Sequence, residues 1–254
     1  MNKPNVLVIN GSPRSEESSS MHLTRAFLEG ASWQDAEIID LTKHQIEHCA
    51  GCFACWYHTP GECIIKDSMN ELLPKVIAAD VVIWSFPLYY YNIPGKLKSF
   101  IDRQLPLVLP EMSEGHESGD HPDRYDLSKQ RNILISSCGF WTAEGNYPSV
   151  EAMFDLVWGE ARYGDNKYEK IFVGQGGILG LATIEIPEEV LKTTPEAPAV
   201  QAKVAAYLDI VRTAGAQWAT GKIDDATHKL LAQPIMTQEA YEAGANANAA
   251  KVQN

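Results

Sequence analysis

Short apolar runs alternate along the chain with stretches in which apolar residues recur every three or four positions. Five runs, near 5–10, 36–41, 80–85, 132–136 and 168–173, have the length and continuity of strands covered on both faces. Met21, Leu23, Ala26, Phe27 and Leu28 carry a helix over 18–30. Met69, Leu72, Leu73 and Val76 carry another over 68–79, with Asp67 as its cap. Further helices are expected over 95–103, 149–161 and 199–219. Residues 104–130, rich in Pro, Gly, His and acidic side chains, have no period and read as an insertion. Residues 174–198 read as irregular, and the last 20 thin into Ala, Asn, Gly and Gln and are expected to fray.

Strands that alternate with helices predict an α/β fold, with a parallel sheet covered by helices on both faces. Right-handed crossovers leave few arrangements, and a five-stranded sheet of order 2-1-3-4-5 in a three-layer sandwich fits best. The domain is expected to span 1–220, interrupted at 104–130, with 221–254 as a partly disordered C-terminal extension. In this order the loops after strands 1, 3 and 4 meet on one edge of the sheet.

All three of those loops have unusual composition. The first, Gly11-Ser-Pro-Arg-Ser-Glu-Glu-Ser-Ser-Ser20, breaks a strand and opens a helix. A helix N-terminus offers unpaired N–H groups and a positive dipole end, which attract phosphate. Serine hydroxyls add donors, and Arg14 adds a fixed charge. Neither G-x-x-x-x-G-K-[ST] nor G-x-G-x-x-G occurs here, so the loop suits a terminal monophosphate such as that of FMN. The same serines also suit an ordinary N-cap. The second loop is Pro87-Leu-Tyr-Tyr-Tyr-Asn-Ile-Pro94, and the third is Ser137-Cys-Gly-Phe-Trp141.

A net charge of −12 argues against nucleic acid, whose phosphates need a basic face. No apolar run approaches the roughly 20 residues of a membrane span. The N-terminus runs directly into the first strand, so no signal peptide is expected and the expected location is cytoplasmic. Five cysteines in a reducing compartment read as thiols or ligands rather than disulfides.

The chain resembles the NAD(P)H-dependent FMN reductase family of the flavodoxin-like fold. Three blocks carry the likeness: Gly11-Ser-Pro-Arg14 with Ser18 and Ser19, the run from Pro87 to Arg103, and the cysteine block before Asp67. The resemblance implies that Ser12, Arg14, Ser18 and Ser19 hold the FMN phosphate. It implies that Pro87, Leu88, Tyr89, Tyr90 and Asn92 line the isoalloxazine and ribityl, with Ser137, Cys138, Gly139 and Phe140 in the facing loop. It further implies an oxidoreductase that takes electrons from NAD(P)H as co-substrate and passes them to a quinone, a flavin or another small acceptor. A homodimer or homotetramer is the implied assembly. The flavin carries the chemistry, so no acid/base pair or catalytic triad is expected.

Cys49, Cys52, Cys55 and Cys63 form C-x2-C-x2-C-x7-C, a spacing that can hold a [4Fe–4S] cluster, zinc or no metal. The pattern resembles the iron–sulfur flavoproteins, a branch of the same family. His48 and His58 are further zinc candidates. Gly174-Gln-Gly-Gly-Ile-Leu-Gly180 misplaces its third glycine for a dinucleotide site and reads as a flexible loop. Phe140 and Trp141, with Tyr89–Tyr91, are expected to face a stacked nicotinamide. A non-enzymatic electron carrier and a cysteine-based redox sensor are the rival readings.

Overall fold

The computed structural model describes residues 3–114, 119–159, 164 and 167–252. Strands β1 (Val6–Asn10), β2 (Glu37–Asp40), β3 (Val81–Pro87), β4 (Arg131–Ser137) and β5 (Tyr168–Val173) form one parallel sheet of order β2-β1-β3-β4-β5. This is the expected order. Val8 lies opposite both Ile38 of β2 and Ile83 of β3.

Alternate strand residues go to opposite faces, and that period of two builds two cores. Val6, Val8, Val81, Ile83, Ile133, Ile135, Ile171 and Val173 face one helical layer. Leu7, Ile9, Val82, Trp84, Phe86 and Leu134 face the other. Helices α1 (Ser19–Gly30) and α7 (Ala197–Thr220) form the first layer; α3 (Met69–Ala78), α4 (Gly95–Asp102) and α5 (Pro148–Trp158) form the second. A short helix, α2 (Ala54–Tyr57), lies within the cysteine block. Of the helix expected over 149–161, residues 160 and 161 lie outside the described residues.

Helices α1 and α7 cross with almost no gap. A Cβ on Gly30 would sit 1.8 Å from the Arg212 carbonyl oxygen, and one on Gly215 would sit 2.1 Å from that of Phe27. Only glycine permits that approach. It lets Phe27, Trp33 and Trp218 cluster at ring separations of 5.9–6.5 Å.

Three stretches differ from expectation. Residues 174–198 are not irregular: a 3-10 helix spans Gly176–Thr183 and α6 spans Glu188–Thr193. The final stretch carries α8 (Asp225–Leu231) and α9 (Gln238–Val252), where composition suggested fraying. The Tyr207 hydroxyl donates to Leu231 O at 2.6 Å and so fastens α8 to α7. The 104–130 insertion folds back on itself. Leu109 N–H donates to Pro122 O (2.8 Å) and Arg124 N–H to Leu107 O (2.7 Å), while residues 115–118 lie outside the described residues. No described helix is long and apolar enough to cross a membrane.

The second layer is locked by a buried ion pair. Arg103, at the end of α4, donates from Nη1 and Nη2 to the two carboxylate oxygens of Asp67 at 2.7 and 3.0 Å; both side chains are 1% exposed. Arg103 also reaches Glu47 O at 2.9 Å, so a single guanidinium holds the cysteine loop against α3 and α4. Burial disfavours the charge on Asp67. The Arg103 guanidinium and the Glu47 and Met69 N–H groups outweigh it and hold the carboxyl below its ordinary 3.8. Asp67→Asn should cost about 3–5 kcal/mol in urea unfolding, because Arg103 keeps its charge and loses its counter-ion. The depressed pKa sets the sign of the pH dependence. The contribution of Asp67 is complete above the unfolded-state pKa and falls away as pH drops from 3.8 through the lower folded value. The variant's deficit should therefore shrink in acid.

Candidate functional site

The loop after β1 is shaped from inside. Gly11 N–H donates to Ser85 O of β3 at 2.8 Å, and a Cβ there would press on Leu97 at 3.0 Å. Ser12 N–H donates to Asn10 Oδ1 (3.0 Å), and Ser12 Oγ accepts from Arg14 N–H (3.2 Å). Ser15 adopts a left-handed backbone (φ 53°) and donates its hydroxyl to the Asp40 carboxylate at the end of β2. Burial opposes the charge on Asp40, but the bonds from Ser15 and Thr42 hold its carboxyl below the usual range. That carboxylate anchors the loop's outer turn.

The serines divide their work. Ser18 Oγ accepts from Met21 N–H at 3.3 Å, so it caps α1. Ser19 donates its hydroxyl to Gly176 O at 2.6 Å and ties the head of α1 to the loop after β5. What faces outward is the exposed guanidinium of Arg14, while Ser18, Ser20 and Met21 at the head of α1 are buried and Ser19 is half-buried. Among the described residues Arg14 has no carboxylate partner. His22 is held below its ordinary pKa by burial, then by Arg25 and by Arg14, so the Arg14 charge is felt at the head of α1.

The loop after β3 is a tight reversal. Tyr89 and Asn92 exchange backbone hydrogen bonds of 2.8 and 3.0 Å, and Tyr90 and Tyr91 between them take φ of 51° and 61°. Aromatic residues rarely adopt this region, and such strain concentrates at ligand clamps. Asn92 Oδ1 accepts from Ile93 N–H at 2.8 Å and braces the exit from the turn. Tyr90 is fully exposed, and Tyr89 and Tyr91 are about half exposed.

The loop after β4 meets it. Leu88 N–H donates to Ser137 O at 2.9 Å next to Pro87, and Phe140 stacks on Tyr91 with ring centres 5.6 Å apart. Gly139 has open space where a Cβ would point. Cys138 is buried, and burial pushes its thiol pKa up, so it is no ready thiolate. Trp141 differs from expectation: its indole N–H donates to Met236 O at 3.2 Å, which turns it toward the C-terminal segment. The three loops thus share one edge, as the topology requires.

The flexible loop expected at 174–180 is ordered. Gly174 packs so closely that a Cβ would lie 2.7 Å from Thr142 Cα. Gln175, fully buried and left-handed (φ 57°), pairs its amide with the backbone of Met236: N–H to Oε1 at 2.9 Å and Nε2 to O at 2.8 Å. Gln175 and Met236 carry no motif, and only a polar residue between glycines after a strand hints at the first.

In the cysteine block Cys49 and Cys52 are exposed, Cys63 is half-buried and Cys55 is buried. Burial, then the neighbouring Cys63, Cys49 and Cys52, raise the Cys55 pKa, so the four thiols sit in one region. Among the described residues, however, no three His, Cys, Asp or Glu side chains converge on a metal-sized point. His48 is engaged instead with Ser99 Oγ at 2.7 Å. Trp56 donates to Leu105 O at 3.2 Å and packs its ring 4.8 Å from that of His121.

By sequence the chain is similar to known flavoproteins. A profile of the NADPH-dependent FMN reductase family matches residues 4–114. An FMN-dependent NADH:quinone oxidoreductase of Burkholderia lata is 32% identical over 153 residues, which cover 56% of this chain and 69% of that protein. An iron-sulfur flavoprotein of Archaeoglobus fulgidus is 38% identical over 100 residues, covering 39% of this chain and 44% of that protein. The chain spans about half the length of the iron-sulfur flavoproteins it matches. An NAD(P)H:quinone oxidoreductase structure from Methanothermobacter marburgensis aligns with a TM-score of 0.51 at 17% identity, covering 85% of this chain and 98% of that one. That likeness bears on the fold.

The left-handed turn carries a testable consequence. Tyr90 is fully exposed in this chain, so Tyr90→Gly removes backbone strain while losing little contact. The apoprotein should melt about 2 °C higher by circular dichroism. A lower melting temperature would show that Tyr90 supports the folded chain itself.

Proposed function

The chain belongs to the family of the NADPH-dependent FMN reductases and FMN-dependent NADH:quinone oxidoreductases, and on that premise we propose that it is an FMN-dependent oxidoreductase. Its electrons come from NAD(P)H and go to a quinone, a flavin or another small acceptor. The observation that carries this reading is the meeting, on one edge, of Arg14, a cation with no carboxylate partner among the described residues, with a strained aromatic turn.

The residues present fit FMN. Among the described residues Asn10 Nδ2 is buried under the phosphate loop with no partner, Gly139 leaves open space, and Arg14 has no carboxylate partner. In this reading the first turn of α1, with Ser12 and Arg14, holds the phosphate, while Ser18 and Ser19 hold the loop in shape. Pro87, Leu88, Tyr89, Tyr90 and Asn92 form one wall for the ring, and Ser137–Phe140 form the other. When bound, FMN supplies the redox chemistry, accepting a hydride from the nicotinamide and releasing electrons to the acceptor. The Tyr91–Phe140 stack, half exposed in the free chain, would give a bound nicotinamide an apolar face beside the ring.

Among the described residues no three ligands converge on a point as a single zinc ion needs, while the thiols of Cys49, Cys52, Cys55 and Cys63, which share one region, would each take one iron of a [4Fe–4S] cluster. Five free cysteines suit a reducing, cytoplasmic setting. The fully exposed Tyr90 beside the site suits a homo-oligomer in which a second copy covers it.

Two measurements test the reading. Purified protein with FMN should oxidise NADH or NADPH in the steady state with a small quinone as the only acceptor; absence of turnover without a partner reductase would favour an electron carrier. Arg14→Ala should weaken FMN binding about 10- to 100-fold in apoprotein titration, because it removes a charge-assisted contact worth roughly 1.5–3 kcal/mol. Wild-type affinity in that variant would remove Arg14 from the phosphate site.

A further inference from the structure

We propose that the C-terminal segment completes the flavin site, with the Tyr241 hydroxyl as a positioning group for the loop beside the ring. The inference rests on the reading that the crevice holds FMN.

Tyr241 lies on α9 and donates its hydroxyl to Gly139 O at 2.8 Å. Burial raises its phenol pKa, then Cys138 adds to the rise. The Gly177 N–H, close to the same oxygen, pulls the other way. One oxygen therefore stands between the loop after β4 and the loop after β5. The turn before α9 adds a second tether. Met236 O accepts from both Trp141 Nε1 and Gln175 Nε2, and Met236 N–H donates to Gln175 Oε1. Gln175 N–H in turn donates to Phe140 O at 2.7 Å.

These tethers reach both ends of the crevice. At the phosphate end, Gly176 O accepts the Ser19 hydroxyl at the head of α1. At the ring end, the peptide between Gly139 and Phe140 is planar, so its N–H lies opposite the carbonyl that Tyr241 holds. That N–H faces the Cys138 sulfur and lowers the thiol pKa against the larger effect of burial. Fixing the peptide fixes Phe140, whose ring is stacked on Tyr91. Gly139 has no side chain and nothing around its would-be Cβ, so no side-chain packing fixes this peptide from within. The hydroxyl bonds the peptide's own carbonyl, between the backbone bonds from Gly176 N–H to Cys138 O and from Gln175 N–H to Phe140 O (2.7 Å each) that hold its neighbours.

The test is Tyr241→Phe, which keeps the ring and removes only the oxygen. Wild type and variant are stripped of flavin, titrated with FMN, and poised in a spectroelectrochemical cell to read the midpoint potential of the bound flavin. The expected result is FMN binding weakened roughly tenfold, the effect of losing one or two hydrogen bonds. A shifted midpoint potential should accompany it, because loop dipoles beside the ring set its electrostatics. Apoprotein melting is measured alongside. A lower melting temperature with the potential unmoved would assign Tyr241 a merely structural role and overturn the proposal, as would wild-type affinity and potential. If wild type itself takes up no FMN, the functional reading falls first, before the variant is compared.

Discussion

Parallel strands cannot be joined by tight turns, and that constraint determines where this protein can bind anything. Each strand must be followed by a crossover, and right-handed crossovers send the chain to one face or the other according to the direction of travel across the sheet. From β1 the chain moves outward to β2 through α1 on one face. From β2 it returns past β1 to β3 through α3 on the opposite face, and then continues to β4 and β5. At the carboxyl ends of β1 and β3 the departing segments diverge and leave a crevice. The chain has put its serines, its strained tyrosines and an exposed arginine around that crevice.

The crevice floor is polar yet sealed. Asn10, Ser12, Ser18, Ser20, Ser85, Ser136 and Ser137 are all buried near the strand ends. Buried polar groups cost free energy unless bonded, so these are joined in short relays. Thr24 Oγ1 donates to Ser85 Oγ at 2.9 Å while lying in reach of Ser20 O, and Ser136 Oγ meets Tyr147 at 3.1 Å. Such relays tie α1 to β3 and β4 to α5 without a charge. The Asn10 amide nitrogen, which has no partner among the described residues, stands out against that background. It lies at the end of β1, beneath the loop that would take the phosphate.

Much of this was legible before the fold was known, and the reasons for the rest are physical. Strands of continuous apolar residues announced a doubly covered sheet, and the serine–arginine loop announced a helix N-terminus. The division of labour among the serines was not readable, because a capping hydroxyl and a ligand-binding one have the same spacing. Only the partner distances at Ser18 and Ser19 separate them. The C-terminal helix was hidden for another reason. Its Ala, Asn and Gly composition has no apolar stripe, and what holds its start in place is two backbone groups of Met236 meeting an amide 61 residues away. Long-range bonds of that kind leave no periodic trace. The cysteine spacing was plain, but spacing cannot say whether four sulfurs converge.

The turn at Tyr90 and Tyr91 shows why local and global preferences disagree at this edge. A two-residue reversal with both φ values positive favours Gly and Asn, and tyrosine is a poor choice on backbone grounds. Exposure makes it a poor choice on solvation grounds as well, since Tyr90 has its whole side chain in water. Neighbouring contacts offset part of this: Tyr91 O accepts the Ser149 hydroxyl, and its ring stacks on Phe140. Nothing among the described residues offsets the exposure of Tyr90. A position that is unfavourable in both backbone and solvent is explained when something outside the chain, a flat ligand or a second copy, lies against it. The strain then has a use: it holds the aromatic ring out from the sheet edge, already placed for contact, so little conformational entropy remains to be lost on binding.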